Sequence, residues 1–202
     1  MSRSAIFKKI ESATAAVKVK APLPDYASTI TQSAPKLQGA NRLEMFTNNL
    51  KAVNGRTMTS IAELAEFLTS QQQRHGYCDP ALFETVGAPL AAAGLTVETD
   101  YDRCRYDDYQ FGITRASGAI AESGTLILDD LNTSNRLAAL SPWTHVAVLD
   151  RATIHLTISD GLAALGSSPN VVWATGPSKT ADVEGILIEG VHGPGEQIAL
   201  VL

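Results

Sequence analysis

Cysteine is nearly missing from this sequence: two residues, Cys78 and Cys104, in a chain of 202. They form no C-x-x-C pair, so a thiolate set for zinc or an iron–sulfur cluster cannot be assembled from this chain alone. Two free thiols in a reducing compartment are expected. Histidine is also sparse, with His75, His145, His155 and His192 at no metal-ligand spacing. No apolar run reaches the roughly 20 residues that cross a bilayer. The stretch from Met1 to Lys20 lacks an apolar segment followed by a small-residue cleavage site, so no signal peptide is read there. Basic residues number 16 against 21 acidic ones, a formal net charge of -5. That argues against nucleic acid or an anionic membrane as partner, because both demand clustered Lys and Arg. There is no G-x-S-x-G elbow, no G-x-G-x-x-G after a strand and no Walker A spacing. The expectation left by these absences is a cytoplasmic protein with no membrane span and no resident metal.

The hydrophobic fraction, 45%, is enough to bury a sizeable core. The length suits one domain with an arm. Residues 1–20 read as a short amphipathic helix with Ile6, Phe7 and Ile10 near one face. Pro22 and Pro24 then open a linker, since proline lacks an amide donor and turns the preceding residue away from helix. The arm is therefore placed at residues 1–40 and the domain at 41–202.

Within the domain, Asn41 and Glu44 form a capping-box pattern ahead of Leu43, Phe46, Leu50 and Val53 at helical spacing, with Gly55 past the end. Thr57–Thr59 reads as a strand. Ser60 and Glu63 repeat the capping pattern before Ile61, Leu64, Ala65 and Leu68, and His75-Gly76 closes that helix. Ala81–Phe83 reads as a strand, Val86–Ala93 as a helix ended by Gly94, Leu95–Glu98 as a strand, and Tyr101–Tyr109 as a polar loop. Further strands are expected at Phe111–Thr114, Gly124–Leu128, His145–Leu149, Val171–Ala174 and Gln197–Leu202. Helices are expected at Asn135–Leu140, from Asp150 to Gly166 with Ile154, Ile158, Leu162 and Leu165 inward, and at Ser178–Glu189. Alternation of this kind predicts an α/β fold, a mostly parallel sheet with helices on both faces. Sites in such folds gather where strands end.

Three stretches carry chemistry. Gly176-Pro177-Ser178-Lys179-Thr180 follows a buried strand and opens the predicted helix, with Asp182 in its first turn. Free amides and hydroxyls at the positive end of a helix dipole make an anion site, although plain N-capping fits the same residues. Ala121-Glu122-Ser123-Gly124-Thr125 surrounds one carboxylate with small residues before a strand. Glu122 is a candidate acid, base or nucleophile, or a solvated turn residue. Val191-His192-Gly193-Pro194-Gly195 places a histidine, suited to anion binding or proton transfer, in a loop that is equally an ordinary tight turn. Arg136, near a helix start, can grip a carboxylate with two prongs. His145 opens a strand at the edge where sites are rare and is a supporting candidate. Trp143 and Trp173 read as packing residues.

In order and spacing, Ala121–Thr125, Arg136, His145, Gly176–Glu184 and Gly190–Pro194 resemble the lactate-utilisation protein C family, the LUD-domain group. The likeness runs over residues 41–202 and is strongest from Phe111 onward. It departs at Leu140-Ser141-Pro142, where the family more often has Leu-Pro. The resemblance implies a fold like the NagB/RpiA/CoA-transferase group. It also implies a part in bacterial oxidation of L-lactate to pyruvate, with iron–sulfur clusters held by separate partner proteins and no cofactor in this chain. Under that reading Thr125, Arg136, Gly176, Ser178, Lys179, Thr180 and His192 bind a small carboxylate or phosphate, and a homo-oligomer is compatible. The alternative from a different class is a stand-alone enzyme of the same fold group, acting on a phosphorylated sugar, nucleotide or acyl thioester with Glu122 as its catalytic carboxylate.

Overall fold

The structure, a computed structural model, describes residues 2–15, 41–133, 135–168, 170–181 and 185–202. The chain divides into two compact units, Met1–Gln32 and Ser33–Leu202. In the first, α1 (Arg3–Thr14) is capped by the Ser2 side chain, which accepts from the Ala5 amide, and it buries none of its own residues. Ile6, Phe7 and Ile10, expected along one face, are all exposed. The linker read after Pro22 lies outside the described residues.

The second unit is built on a six-stranded sheet in the order β1-β12-β7-β4-β2-β3, every neighbouring pair parallel. Its strands are β1 (Arg56–Met58), β2 (His75–Cys78), β3 (Thr96–Glu98), β4 (Phe111–Arg115), β7 (Thr144–Leu149) and β12 (Glu196–Val201). Both faces are covered, as the near-continuous apolar runs of β7 and β12 require. On one face Val146, Val148, Ile198, Leu200 and Ile113 meet Leu64 and Leu68 of α3 (Ile61–Ser70) and Leu90 of α4 (Ala88–Ala92). On the other, Ala147, Leu149, Ala199 and Val201 meet Phe46 and Leu50 of α2 (Arg42–Ala52). Full burial of Phe46 and Leu50 is worth roughly 2 kcal/mol each. α5 (Arg136–Leu140) approaches β4 closely, and its Ala139 joins the second cluster. A Cβ on Gly112 of β4 would stand 1.8 Å from the Ala138 carbonyl oxygen.

A second sheet, absent from the sequence reading, lies over the α2 side in the order β8-β5-β6-β9. It consists of β5 (Gly118–Ile120), β6 (Thr125–Asp129), β8 (Ile154–His155) and β9 (Val171–Ala174), with β6 antiparallel to both its neighbours. Its Ala119, Leu126, Leu128 and Ile154 share the core cluster of Phe46 and Leu50.

Several expected elements take another form. The described residues of the helix expected over 178–189 form antiparallel strands instead, β10 (Lys179–Ala181) against β11 (Leu187–Glu189). Val183, Ile186 and Leu187 match a helical stripe, yet Ile186 and Leu187 face solvent and Gly185 adopts a positive φ of 76°. Cross-strand pairing, with Lys179 opposite Glu189, prevails over the local period. The helix read from Asp150 to Gly166 is instead a 3-10 turn (Arg151–Thr153), β8, and a shorter α6 (Ile158–Ala164) capped by Thr157 in a capping box with Asp160. Ile154 is drawn into parallel pairing with Ala119. The face α6 buries is Gly161, against Ile120 and Ile127, which leaves Ile158 and Leu162 exposed. His75-Gly76 does not end α3 but starts β2; Gln72, at φ 58°, ends the helix. Ser60 makes no side-chain cap bond. Ala81–Phe83 is helical, in a 3-10 turn that Asp79 caps and Pro80 starts, followed by a π turn over Phe83–Gly87. The Tyr101–Tyr109 loop holds a 3-10 turn and is not wholly at the surface: Tyr109 is buried and stacks on Tyr101 at 4.8 Å. No helix of the described residues is long and apolar enough to cross a membrane.

Candidate functional site

In an open parallel sheet the crevice forms where successive strands leave in opposite directions. Here β3 lies outside β2 on one side, and the chain then returns to place β4 on the other. The reversal point is therefore between the carboxyl ends of β2 and β4. Beside it, over the carboxyl ends of β4, β7 and β12, opens a cavity of about 570 Å³ that Leu82 borders from the β2 side. Its apolar lining is Leu82 after β2, Ala116 after β4, Val148 and Leu149 of β7, and Leu202 after β12; its polar lining is Arg115, Ser117, Asn132, Asp150 and Thr153.

Arg115 is held at the tip of β4 by backbone bonds. Its strand is paired with β7 in the register Arg115 to Val148, and its carbonyl accepts the Thr133 hydroxyl at 3.0 Å. The side chain is exposed and, among the described residues, its guanidinium has no acidic partner. The loop after β6 is folded beside it by Asp129. That buried carboxylate accepts from the Leu131 amide at 2.8 Å, from the Asn132 amide at 3.1 Å and side chain at 2.9 Å, and from the Ser117 hydroxyl. Burial pushes the Asp129 carboxyl upward, but the Ser117, Asn132 and Leu131 donors outweigh it and hold the group below its ordinary range. Asp129 is thus an ionised anchor whose acceptors are committed. Asp150 is partly committed too, capping the Ala152 amide at 2.8 Å. The Asn132 amide and the Thr153 hydroxyl donate to Asp129 and to the Asp150 carbonyl, so what remains for a ligand is the Arg115 fork over an apolar base. Such an arrangement binds a small carboxylate.

The residues singled out in the sequence fall elsewhere. Ser178 does meet the His192 loop: its amide donates to the Pro194 carbonyl and its own carbonyl accepts from the Gly190 amide, both at 2.9 Å. With no helix beginning at Ser178, the dipole that was to bind an anion is not there. Gly176 takes a φ of 79°, with the Val53 carbonyl 2.4 Å from where a Cβ would lie. Lys179 donates to that same carbonyl at 3.1 Å and pairs with Glu189. Thr180 lies opposite Ile188 across β10 and β11, His192 is exposed, and Asp182 lies outside the described residues. Thr125 belongs to a hydroxyl chain, 2.7 Å from Ser123 and 2.7 Å from Thr175. Glu122 turns to the start of α6, where it accepts the Ile158 amide at 2.6 Å, so its carboxylate is not part of the Ser178–His192 contact. Arg136 grips Asp130 in two-pronged fashion behind the Asn132 loop. His145 is fully buried between Thr114 and Gln197. The sequence reading missed Arg115, Ser117, Asn132 and Asp150. The signal for Arg115 and Asp150 was available, since each directly ends a strand on the active edge.

A parallel α/β sheet with a ligand-sized crevice beside its strand reversal defines the class of protein. Comparison with known proteins narrows it. The LUD domain model matches residues 83–202, and the chain belongs to that family. The Lactate utilization protein C of Deinococcus radiodurans is 32% identical over 117 residues, 54% of this chain and 55% of that protein. The one of Exiguobacterium sp. is 35% identical over 143 residues, 64% of this chain and 58% of its own length. The chain thus spans about half the length of the relatives it matches. A crystal structure of a DUF162 family protein from Deinococcus radiodurans superposes with a TM-score of 0.57 at 22% identity, covering 79% of this chain and 95% of that one. That likeness supports the fold.

Proposed function

We propose that this protein serves lactate utilisation by holding a small carboxylate, L-lactate or pyruvate, in the crevice at the carboxyl ends of β4, β7 and β12. The observation that carries the reading is Arg115: a guanidinium with no acidic partner among the described residues, fixed at a strand tip over an apolar cavity. The name of the relatives supplies the substrate class. A two-pronged guanidinium–carboxylate bond orients a hydroxy acid by its charged end and leaves the rest against Leu82 and Val148.

The oxidation itself needs an electron acceptor. Two cysteines, one of them Cys78 with its thiol pushed up to about 12 chiefly by burial, do not supply the four thiolates of a cluster. The resemblance to the family implies that separate iron–sulfur partners carry the electrons, and we assign binding to this chain.

Calorimetric titration of the full chain with L-lactate and pyruvate tests the binding. Saturable binding that weakens at least about tenfold in Arg115→Gln supports it. Equal affinity in both proteins, or none in either, removes the crevice from the mechanism. Loss of growth on lactate after gene deletion, restored by the wild-type gene and not by Arg115→Gln, tests the pathway assignment separately.

A further inference from the structure

The net charge of -5 is unevenly spread along the chain. Residues 1–20 carry five basic side chains, Arg3, Lys8, Lys9, Lys18 and Lys20, against one acidic, Glu11. Residues 21–202 carry 11 basic and 20 acidic ones. The clustering of cations that the chain as a whole lacks is therefore present in its first segment.

Arg3, Lys8, Lys9 and Glu11 belong to α1. At roughly 100° per residue, Ile6, Ile10 and Phe7 fall within an arc of about 100°, with Lys8 and Lys9 outside it. Ile6 is 46% exposed, Phe7 50% and Ile10 52%, and the helix buries none of its residues. The Arg3 guanidinium stands over the Phe7 ring, 5.4 Å from its centroid, so positive charge borders the apolar strip itself.

Spacing and charge together choose what covers that strip. A helix that docks in a protein groove presents anchors at i, i+3 or i+4, and i+7. Seven residues after Ile6 and Phe7 stand Ala13 and Thr14, so the large anchors stop after one turn. Pairing α1 with its own copy would set cations against cations. An interfacial helix needs only a short apolar strip with Lys and Arg around it, and anionic headgroups supply the opposite charge. The acidic remainder of the chain is repelled by those headgroups, which confines the attraction to this segment.

We propose that α1 is an interfacial helix that lies on an anionic phospholipid surface, with Ile6, Phe7 and Ile10 dipping among the acyl chains and Arg3, Lys8 and Lys9 at the level of the phosphates. The attachment is reversible, because a strip of this size holds far less tightly than a spanning helix. It does not depend on the Arg115 crevice.

The test is co-sedimentation of the full chain with vesicles of phosphatidylcholine mixed with phosphatidylglycerol, and with vesicles of phosphatidylcholine alone. The protein is expected to sediment with the first and not the second, and to be released by salt. Partitioning should fall about tenfold or more when Lys8→Gln and Lys9→Gln are combined, and about tenfold when Phe7→Ser and Ile10→Ser are combined. All four positions are exposed, so unfolding midpoints should match wild type and separate loss of attachment from loss of the fold. In Phe7→Trp, brominated lipid in the anionic vesicles should quench fluorescence that it leaves unchanged in the wild type. Failure to sediment with the anionic vesicles overturns the proposal. So does equal binding to both kinds of vesicle, or binding that both pairs of substitutions leave unchanged. Self-association in sedimentation velocity that Phe7→Ser with Ile10→Ser abolishes, without vesicle binding, gives the strip to a second copy instead.

Discussion

Gln197 Oε1 lies 3.0 Å from Nδ1 of His145 on the neighbouring parallel strand, and this contact sets the tautomer of the most buried imidazole in the described structure. Nδ1 donates to Gln197, so Nε2 accepts from the Thr114 hydroxyl at 2.9 Å. Both ring nitrogens are satisfied only while the ring is neutral. Burial lowers the His145 pKa from 6.5 to about 4, the Gln197 bond opposing it. The neutral form is thus favoured by folding. Its contribution is complete above about pH 6.5 and is lost as the pH falls toward 4, on the order of 3 kcal/mol over the whole range. Urea midpoints measured between pH 5 and 8 should drop on the acid side in the wild type, and the slope between pH 6.5 and 5 should flatten in His145→Gln. Parallel curves for the two proteins would contradict this account.

Gly112 is required by the approach of α5 to β4. In Gly112→Ala the added methyl meets the Ala138 carbonyl, a backbone atom with nowhere to move, and the loss of stability should be about 3 kcal/mol or more. Gly166→Ala, where nothing lies within 4 Å of the added Cβ, should change stability by no more than about 0.5 kcal/mol. Equilibrium unfolding of the two variants decides it, and similar values would refute the close approach.

Asp129 organises the loop that carries Asn132 to the carboxylate crevice. Asp129→Ala strands the Leu131 and Asn132 amides and should cost about 2 kcal/mol. It should also weaken L-lactate binding by calorimetry without removing it, since Arg115 is untouched. The Asp129 carboxyl is held low, so its stabilisation is present above the ordinary aspartate range and disappears as pH falls through its folded value. The acid limb of the stability profile should therefore be shallower in Asp129→Ala.

Glu122 buttresses the start of α6 through the Ile158 amide. Glu122→Gln keeps an acceptor there, so stability should stay within about 1 kcal/mol of wild type and lactate affinity should not move. A folded Glu122→Gln protein that fails to support growth on lactate would return the carboxylate to a chemical role.

Legibility followed how local each signal was. Asn41 caps α2 as read, accepting the Glu44 amide, because a cap is decided within four residues. The apolar runs at β7 and β12 declared buried strands. The pairing of 179–181 with 187–189 was misread as a helix because Ile186 and Leu187 carry a helical period that only cross-strand pairing could override. The Ala121–Thr125 and Gly176–Pro194 stretches are legible as family motifs, and their visible roles are structural: close glycine approaches to α2 and loop-to-loop backbone bonds. Arg115 and Asp150 carry no motif at all.

By itself the sequence determined the class of fold, since alternating helical and extended periods with short connections allow little else, together with the family. The tertiary structure alone decided strand order, the second sheet, and therefore the place where strands leave in opposite directions. A crevice is made from the ends of elements distant along the chain, here Leu82, Arg115, Asp150 and Leu202, and no local pattern encodes which ends come to lie side by side.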